Sequence, residues 1–201
     1  MAVTVVPLAP EHRPGWDRLC AGYAASYRVE QTEERRDTVW GWLMDPGHEV
    51  KGLVALDEGG EPVGLAHYRP FARPLRAGYG GFLDDLFVDP KMRGKRVADA
   101  LIEAVAAIGR ERGWSLIRWI TADDNDRGRG VYDRLAARTM WITYDMVLWR
   151  GLPTRSNRST SSSRAASQAR GRRAARVRGI DDPPPHSSTR WPYVSVRLRS
   201  D

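Results

Sequence analysis

Cys20 is the only cysteine in this 201-residue chain. No intramolecular disulfide can form, and the four histidines build no Cys and His cluster at metal-ligand spacing. Neither a disulfide-stapled fold nor a metal site is therefore expected. With no activating pattern around it, Cys20 reads as a small hydrophobe in a helix face rather than a nucleophile. Long apolar runs are missing as well. No stretch reaches the about 18 residues that a bilayer crossing needs, and the N-terminal MAVTVVPLAPEHRPGW lacks a basic segment followed by an apolar run. No membrane partner or conventional secretion is expected, and a lone thiol fits a reducing cytoplasm.

An excess of basic charge is missing from most of the chain, although its formal net charge is +7. Residues 1–146 hold 20 Lys and Arg against 22 Asp and Glu, and residues 147–201 hold 12 against 3. The excess is a property of the tail. Residues 151–201 are rich in Ser, Arg and Pro, a composition that buries too little apolar surface to offset the entropy of ordering, so a disordered tail is expected. No aromatic residues interleave with the arginines of Arg170 to Arg178, so no stacking platform for single strands exists there. Nucleic acid is expected to bind weakly through this tail or not at all. The hydrophobic content of 41% suffices for a single core, placed in residues 1–150.

Along that core region the pattern reads as a strand over Val3 to Pro7 and helices over Trp16 to Arg28 and Thr32 to Met44. Val39, Trp40, Leu43 and Met44 form the apolar side of the second helix. Strands over Glu49 to Asp57 and Val63 to Arg69 flank a turn sequence, EGGEP, that predicts a hairpin. Pro70 to Gly80 reads as a loop. A strand over Leu83 to Val88 ends at Asp89-Pro90, because proline lacks a ladder donor and pushes its predecessor out of the helical region. A helix follows from about Arg93, with Val97, Leu101, Ala104, Val105 and Ile108 on one face, and Gly113 ends it. Leu116 to Ile120 reads as a buried strand, a weak helix runs to about Ala137, and Trp141 to Trp149 alternates as a last strand.

Two segments carry chemistry. A helix N-terminus holds roughly half a positive charge and unpaired N–H groups, and Arg93, Lys95 and Arg96 add three cations beside it, an arrangement suited to phosphate. The run Arg93, Gly94, Lys95, Arg96, Val97, Ala98 resembles the acetyl-CoA loop of the GNAT N-acetyltransferases. Arg93 and Ala98 match that pattern, whereas Arg96 stands where its middle glycine is expected. Arg96 either turns outward or offers a guanidinium to a phosphate. The second segment is Thr121 to Tyr132, in which Asn125, Gly128 and Tyr132 share a helix face at i, i+3 and i+7. It resembles the second cofactor motif of the same family. Gly128 and Gly130 each weaken that helix by about 1 kcal/mol relative to alanine.

The resemblance covers about Val3 to Trp149 and implies the GNAT fold: α/β, with a mostly antiparallel mixed sheet splayed at the cofactor site and flanked by helices. It implies acetyl-CoA as cosubstrate, no metal, and direct attack of a primary amine on the thioester in a ternary complex. The acceptor is expected to be a small molecule. The alternatives are a protein lysine or N-terminus, or an acyl-CoA-binding module without activity, and a homodimer is compatible with the family. Leu86, Phe87 and Val88 would meet the pantetheine arm through backbone groups, with Arg93, Gly94, Lys95, Arg96, Val97, Ala98, Asn125 and Tyr132 completing the cofactor site.

Tyr132 is the expected acid, since a phenol of pKa about 10 can protonate a thiolate whose thiol has a pKa of about 8.5. Asp84 is the expected base. Its surroundings, Phe82-Leu83-Asp84-Asp85-Leu86-Phe87-Val88, are similar to the spermidine and spermine acetyltransferases. Strand alternation sends Asp84 and Asp85 to opposite faces unless a bulge resets the register. His67 and Tyr144 are substitutes for the base, acting through water. Trp40, Trp42, Tyr68 and Phe71, with Glu33, Glu34 or Asp37, are candidates for the acceptor pocket.

Overall fold

A computed structural model describes residues 3–146 and 148, and the chain divides into two units after Ala137. The first unit opens with β1 (Thr4–Pro7), then α1 (Arg13–Tyr27) and α2 (Glu33–Met44). Thr32 starts α2 as a cap, its hydroxyl accepting the Arg35 N–H. β2 (Lys51–Leu56), β3 (Pro62–Arg73) and β4 (Gly78–Val88) follow. The unit ends with α3 (Val97–Glu111), β5 (Ile117–Arg118) and α4 (Asp126–Leu135).

The five strands form one sheet in the order β1-β2-β3-β4-β5, antiparallel except for the parallel pair of β4 and β5. The α/β class, the element order as far as α4 and the mixed sheet are as expected. Two apolar layers cover the sheet. On one face, Leu53, Ala66, Tyr68 and Leu83 pack with Val97, Leu101 and Val105 of α3. On the other, Leu65 packs with Trp16, Leu19 and Cys20 of α1 and Leu43 of α2. Arg13 bonds Asp17 and Asp37, and Arg36 reaches Asp17, so charges on α1 and α2 tie the two helices together.

β4 carries the irregularity that positions the site. His67 faces Asp85 and Tyr68 faces Leu83, so Asp84 is an extra residue with no partner opposite it on β3. The bulge lets Leu83 and Leu86, three residues apart, both join the α3 side of the core, while Phe87 packs on the α1 side. On an unbroken strand those two leucines would point to opposite faces.

Several boundaries differ from the expectation. Pro70 to Gly80 is no loop: β3 runs to Arg73, β4 begins at Gly78, and only the turn between them is irregular. β2 stops opposite Tyr68, so the outer part of β3 has one neighbour only and tolerates Pro70 there. The strand expected over Leu116 to Ile120 shrinks to Ile117–Arg118 because the chain leaves β4 at that point. α3 begins at Val97 rather than near Arg93, since Gly94 (φ +78) and Arg96 (φ +56) are left-handed and cannot continue a helix. In the second unit, residues 138–146 carry no strand. The alternation from Trp141 onward lacks a ladder partner among the described residues, and alternation alone does not make a strand. The tail, residues 151–201, lies outside the described residues.

Candidate active site

β4 and β5 pair only at Gly81 with Ile117 and Phe82 with Arg118. Beyond Phe82, β4 continues for six residues while the other chain turns away, and a narrow cleft opens between them. Leu83, Asp84 and Leu86 line one side, Trp119, Ile120, Thr121 and Tyr132 the other, and Tyr23 and Tyr27 of α1 reach its edge. This is the expected splay, and it brings Asp84 and Tyr132 to one cleft.

Tyr132 stands on α4 with its ring edge-on to Trp119, centroids 5.5 Å apart. Burial, with a smaller contribution from Tyr27, raises its pKa. The phenol therefore keeps its proton through neutral and mildly alkaline pH, as an acid must. Asp84 is held by Arg69, whose Nε donates to Oδ1 at 3.3 Å. Burial raises the Asp84 pKa against the opposing pull of Arg69, with the neighbouring Asp85 adding to the rise. A carboxylate shifted upward is a stronger base.

Asn125 caps α4. Its Oδ1 accepts the Gly128 N–H at 3.1 Å and its Nδ2 donates to the Thr121 hydroxyl at 2.9 Å. Gly128 is small for the sake of this cap: a Cβ there would stand 2.4 Å from Asn125 Nδ2. The face shared by Asn125, Gly128 and Tyr132 thus exists, but its first two members bind each other.

At the start of α3 the first intrahelical bond runs from the Ala100 N–H to the Arg96 carbonyl, so the N–H groups of Val97, Ala98 and Asp99 point out of the helix. Asp89 orders the approach by accepting from the Lys91 N–H and from Arg18. No atom lies within 4 Å of a Cβ built on Gly94, so the loop is open on that side. Outward N–H groups, an open glycine and exposed Arg93, Lys95 and Arg96 fit a diphosphate. Arg96 adopts the left-handed conformation that glycine favours, which explains the usual residue at that place. Leu86, Phe87 and Val88 lead from the cleft toward this loop along β4.

The residues proposed for other roles are scattered. Tyr68 is buried on the α3 side, Trp40 packs on Trp16, Phe71 meets Phe82 edge-on, and Asp37 pairs with Arg13. Trp42 lines a cavity beside α1 and α2, and Glu33 and Glu34 are exposed in the first turn of α2. His67 is buried, and both its ring nitrogens are bonded, Nε2 to the Trp16 indole and Nδ1 to Asp85. It has no nitrogen left to take a proton from substrate, which corrects its place as a substitute base. Tyr144 belongs to the second unit. Sequence reasoning missed Tyr23 and Tyr27, which border the cleft; their spacing of four on α1 was the available clue.

Residues 16–137 match the acetyltransferase (GNAT) family. The chain belongs to this family. This GNAT acetyltransferase is 27% identical over 143 residues to a D-amino-acid N-acetyltransferase of Saccharomyces cerevisiae, covering 71% of the chain and 89% of the relative. It is 32% identical over 95 residues to a thialysine N-epsilon-acetyltransferase of Bos taurus, covering 44% of the chain and 55% of that protein. Among solved structures, a ribosomal-protein-alanine N-acetyltransferase from Brucella melitensis biovar Abortus 2308 superposes with a TM-score of 0.62 at 25% identity, covering 73% of this chain and 99% of the other. The protein is accordingly an N-acetyltransferase of a family that uses acetyl-CoA. Among the described residues no helix is long and apolar enough to cross a membrane, and no group of three or more His, Cys, Asp or Glu is arranged to hold a metal.

Proposed function

We propose that this enzyme transfers the acetyl group of acetyl-CoA to the primary amine of a small molecule, by direct attack in the cleft between β4 and residues 119–121. The observation that carries the reading is the convergence of Asp84 and Tyr132 on that cleft, where the parallel pairing of β4 and β5 ends. The small size of the acceptor is supported by the relatives, one named for D-amino acids and the other for thialysine. A lone buried thiol agrees with a cytoplasmic location.

Bound acetyl-CoA supplies the activated acyl carbon and the thiolate leaving group. The protein's part is to hold and move protons. Asp84 takes a proton from the incoming ammonium, directly or through water, which frees the nitrogen lone pair to form the new N–C bond. As the C–S bond breaks, Tyr132 gives its proton to sulfur; the second proton that the nitrogen sheds on becoming the amide passes to water, from which Tyr132 is reprotonated. Outward N–H groups at the start of α3 bind the diphosphate, with Arg93, Lys95 and Arg96 adding charge and the backbone of Leu86, Phe87 and Val88 meeting the pantetheine arm. Asn125 contributes by fixing α4, and hence Tyr132, against Trp119.

Free CoA release, measured over a panel of primary amines, tests the proposal. Turnover of at least one amine is expected, with Tyr132→Phe lowering kcat roughly 10²-fold or more and acetyl-CoA binding retained. Tight acetyl-CoA binding with no amine turned over would defeat it.

A further inference from the structure

A second cavity, about 470 Å³, lies between α1, α2 and the bulged part of the sheet, with Asp85 and His67 on its floor and Tyr23, Tyr27, Val39 and Trp42 among its walls. Tyr23 and Tyr27 also border the cleft that holds Asp84 and Tyr132, so the two spaces adjoin. We propose that this cavity receives the acceptor as a primary ammonium on a short apolar or aromatic body, with the ammonium held by Asp85 and Asp85 oriented by a Trp16–His67 relay. This rests on the N-acetyltransferase reading above and adds to it an anchoring residue and a substrate class.

The floor is built from buried groups. The Trp16 indole N–H, wholly buried, donates to His67 Nε2 at 2.9 Å, and His67 Nδ1 lies 2.9 Å from Asp85 Oδ2. An indole nitrogen can only donate, so Nε2 must be the unprotonated acceptor. The ring's single proton then sits on Nδ1 and is donated to Asp85. One carboxylate oxygen is fixed by this chain, and the side chain remains 38% exposed on the cavity side. Tyr23 lines the same cavity, where burial and the nearby Asp85 charge keep its phenol protonated. A carboxylate in a mostly apolar space is costly unless a cation completes it, and a neutral imidazole brings no charge. Here the substrate's ammonium is that cation.

The mouth defines the rest of the molecule. Tyr27, Val29 and Trp42 are 48%, 58% and 43% exposed, and all three line this cavity. Exposed apolar groups gathered at the entrance to a charged floor match an amine with an apolar body, and the tyrosine and tryptophan faces favour an adjacent cation. At the rim stand Glu30 and Arg35, the Arg35 guanidinium donating to the Glu30 backbone carbonyl. The bulge separates two carboxylate roles: Asp85 faces this cavity, while Asp84 faces the cleft with Tyr132.

Steady-state kinetics with 2-phenylethylamine as probe tests the assignment. Asp85→Asn is expected to raise the amine KM about tenfold or more, the loss of a charge-assisted bond, with the KM for acetyl-CoA unchanged. Nitrogen-15 NMR of wild-type His67 should show a neutral ring protonated at Nδ1. Trp42→Ala, at a half-exposed position, should raise KM for 2-phenylethylamine more than for methylamine, and it keeps the test alive if Asp85→Asn does not fold. An amine KM within about twofold of wild type in Asp85→Asn, a proton on Nε2, or equal effects of Trp42→Ala on both amines would each overturn the assignment. Turnover of other amines but not of 2-phenylethylamine would overturn it too while leaving the N-acetyltransferase reading intact. If wild type releases CoA with no amine at all, that reading falls and the assignment falls with it.

Discussion

Arg96 carries a conformational cost that a glycine at the same place would avoid. Its φ of +56 brings Cβ close to the following carbonyl, roughly 1 kcal/mol for an L-residue. Arg96→Gly is therefore expected to raise the free energy of unfolding by about that amount, measured by denaturant unfolding, with the fold unchanged. If the guanidinium reaches a phosphate, the same variant weakens acetyl-CoA binding, and titration calorimetry separates the two effects. That the residue departs from the family pattern is plain in the sequence; that the backbone there still has the glycine conformation is not, because dihedral angles leave no trace in composition. Asp84 and Asp85 show the same limit. Adjacent acidic residues announce a site, but only the pairing of His67 with Asp85 tells which carboxylate faces which space.

At the scale of elements, α4 makes a paired prediction. Glycine to alanine inside a helix ordinarily stabilises by about 1 kcal/mol. Gly130→Ala should do so, since nothing lies within 4 Å of its Cβ. Gly128→Ala should not, because the new methyl displaces Asn125 from its cap, and loss of such a cap costs about 1 kcal/mol. Chemical denaturation of the two variants, side by side, checks the contrast. The helices and most strands were legible because apolar periodicity reports burial, and Thr32, Asp89-Pro90 and Gly113 mark ends by their own chemistry. The long β3–β4 hairpin was not, since Pro70 and Pro74 read as breakers although β3 has an unpaired side at Pro70. β5 was over-read for the opposite reason: its apolar run continues past Arg118, but what it lines is a cleft, not a ladder.

For the whole molecule, buried protonated groups set a response to alkali. Burial raises the pKa of Cys20 to about 12 and also raises those of Tyr23, Tyr68 and Tyr132. Each folded value exceeds the unfolded one, so the unfolded chain releases protons first. Stability is complete below the unfolded cysteine value of about 8.5 and declines as pH rises past it, more steeply beyond about 10 where unfolded tyrosines ionise. Denaturation midpoints recorded from pH 7 to 11 should follow this course, and Cys20 should resist alkylating reagents until the protein unfolds.

The bulge at Asp84 also reaches the whole molecule. β4 has two parities, one before the extra residue and one after it, and each suits its own stretch of neighbours. Exchanging the Asp84 side chain leaves that phase shift in place; deleting the residue abolishes it. In a deletion variant Leu83 and Leu86 stand two residues apart, so plain alternation keeps Leu83, Leu86 and Val88 on the α3 side and Asp85 and Phe87 on the α1 side. Deletion thus removes the carboxylate together with the bulge that aims it, whereas substitution removes the carboxylate alone, and the difference between the two variants reports what the bulge itself contributes.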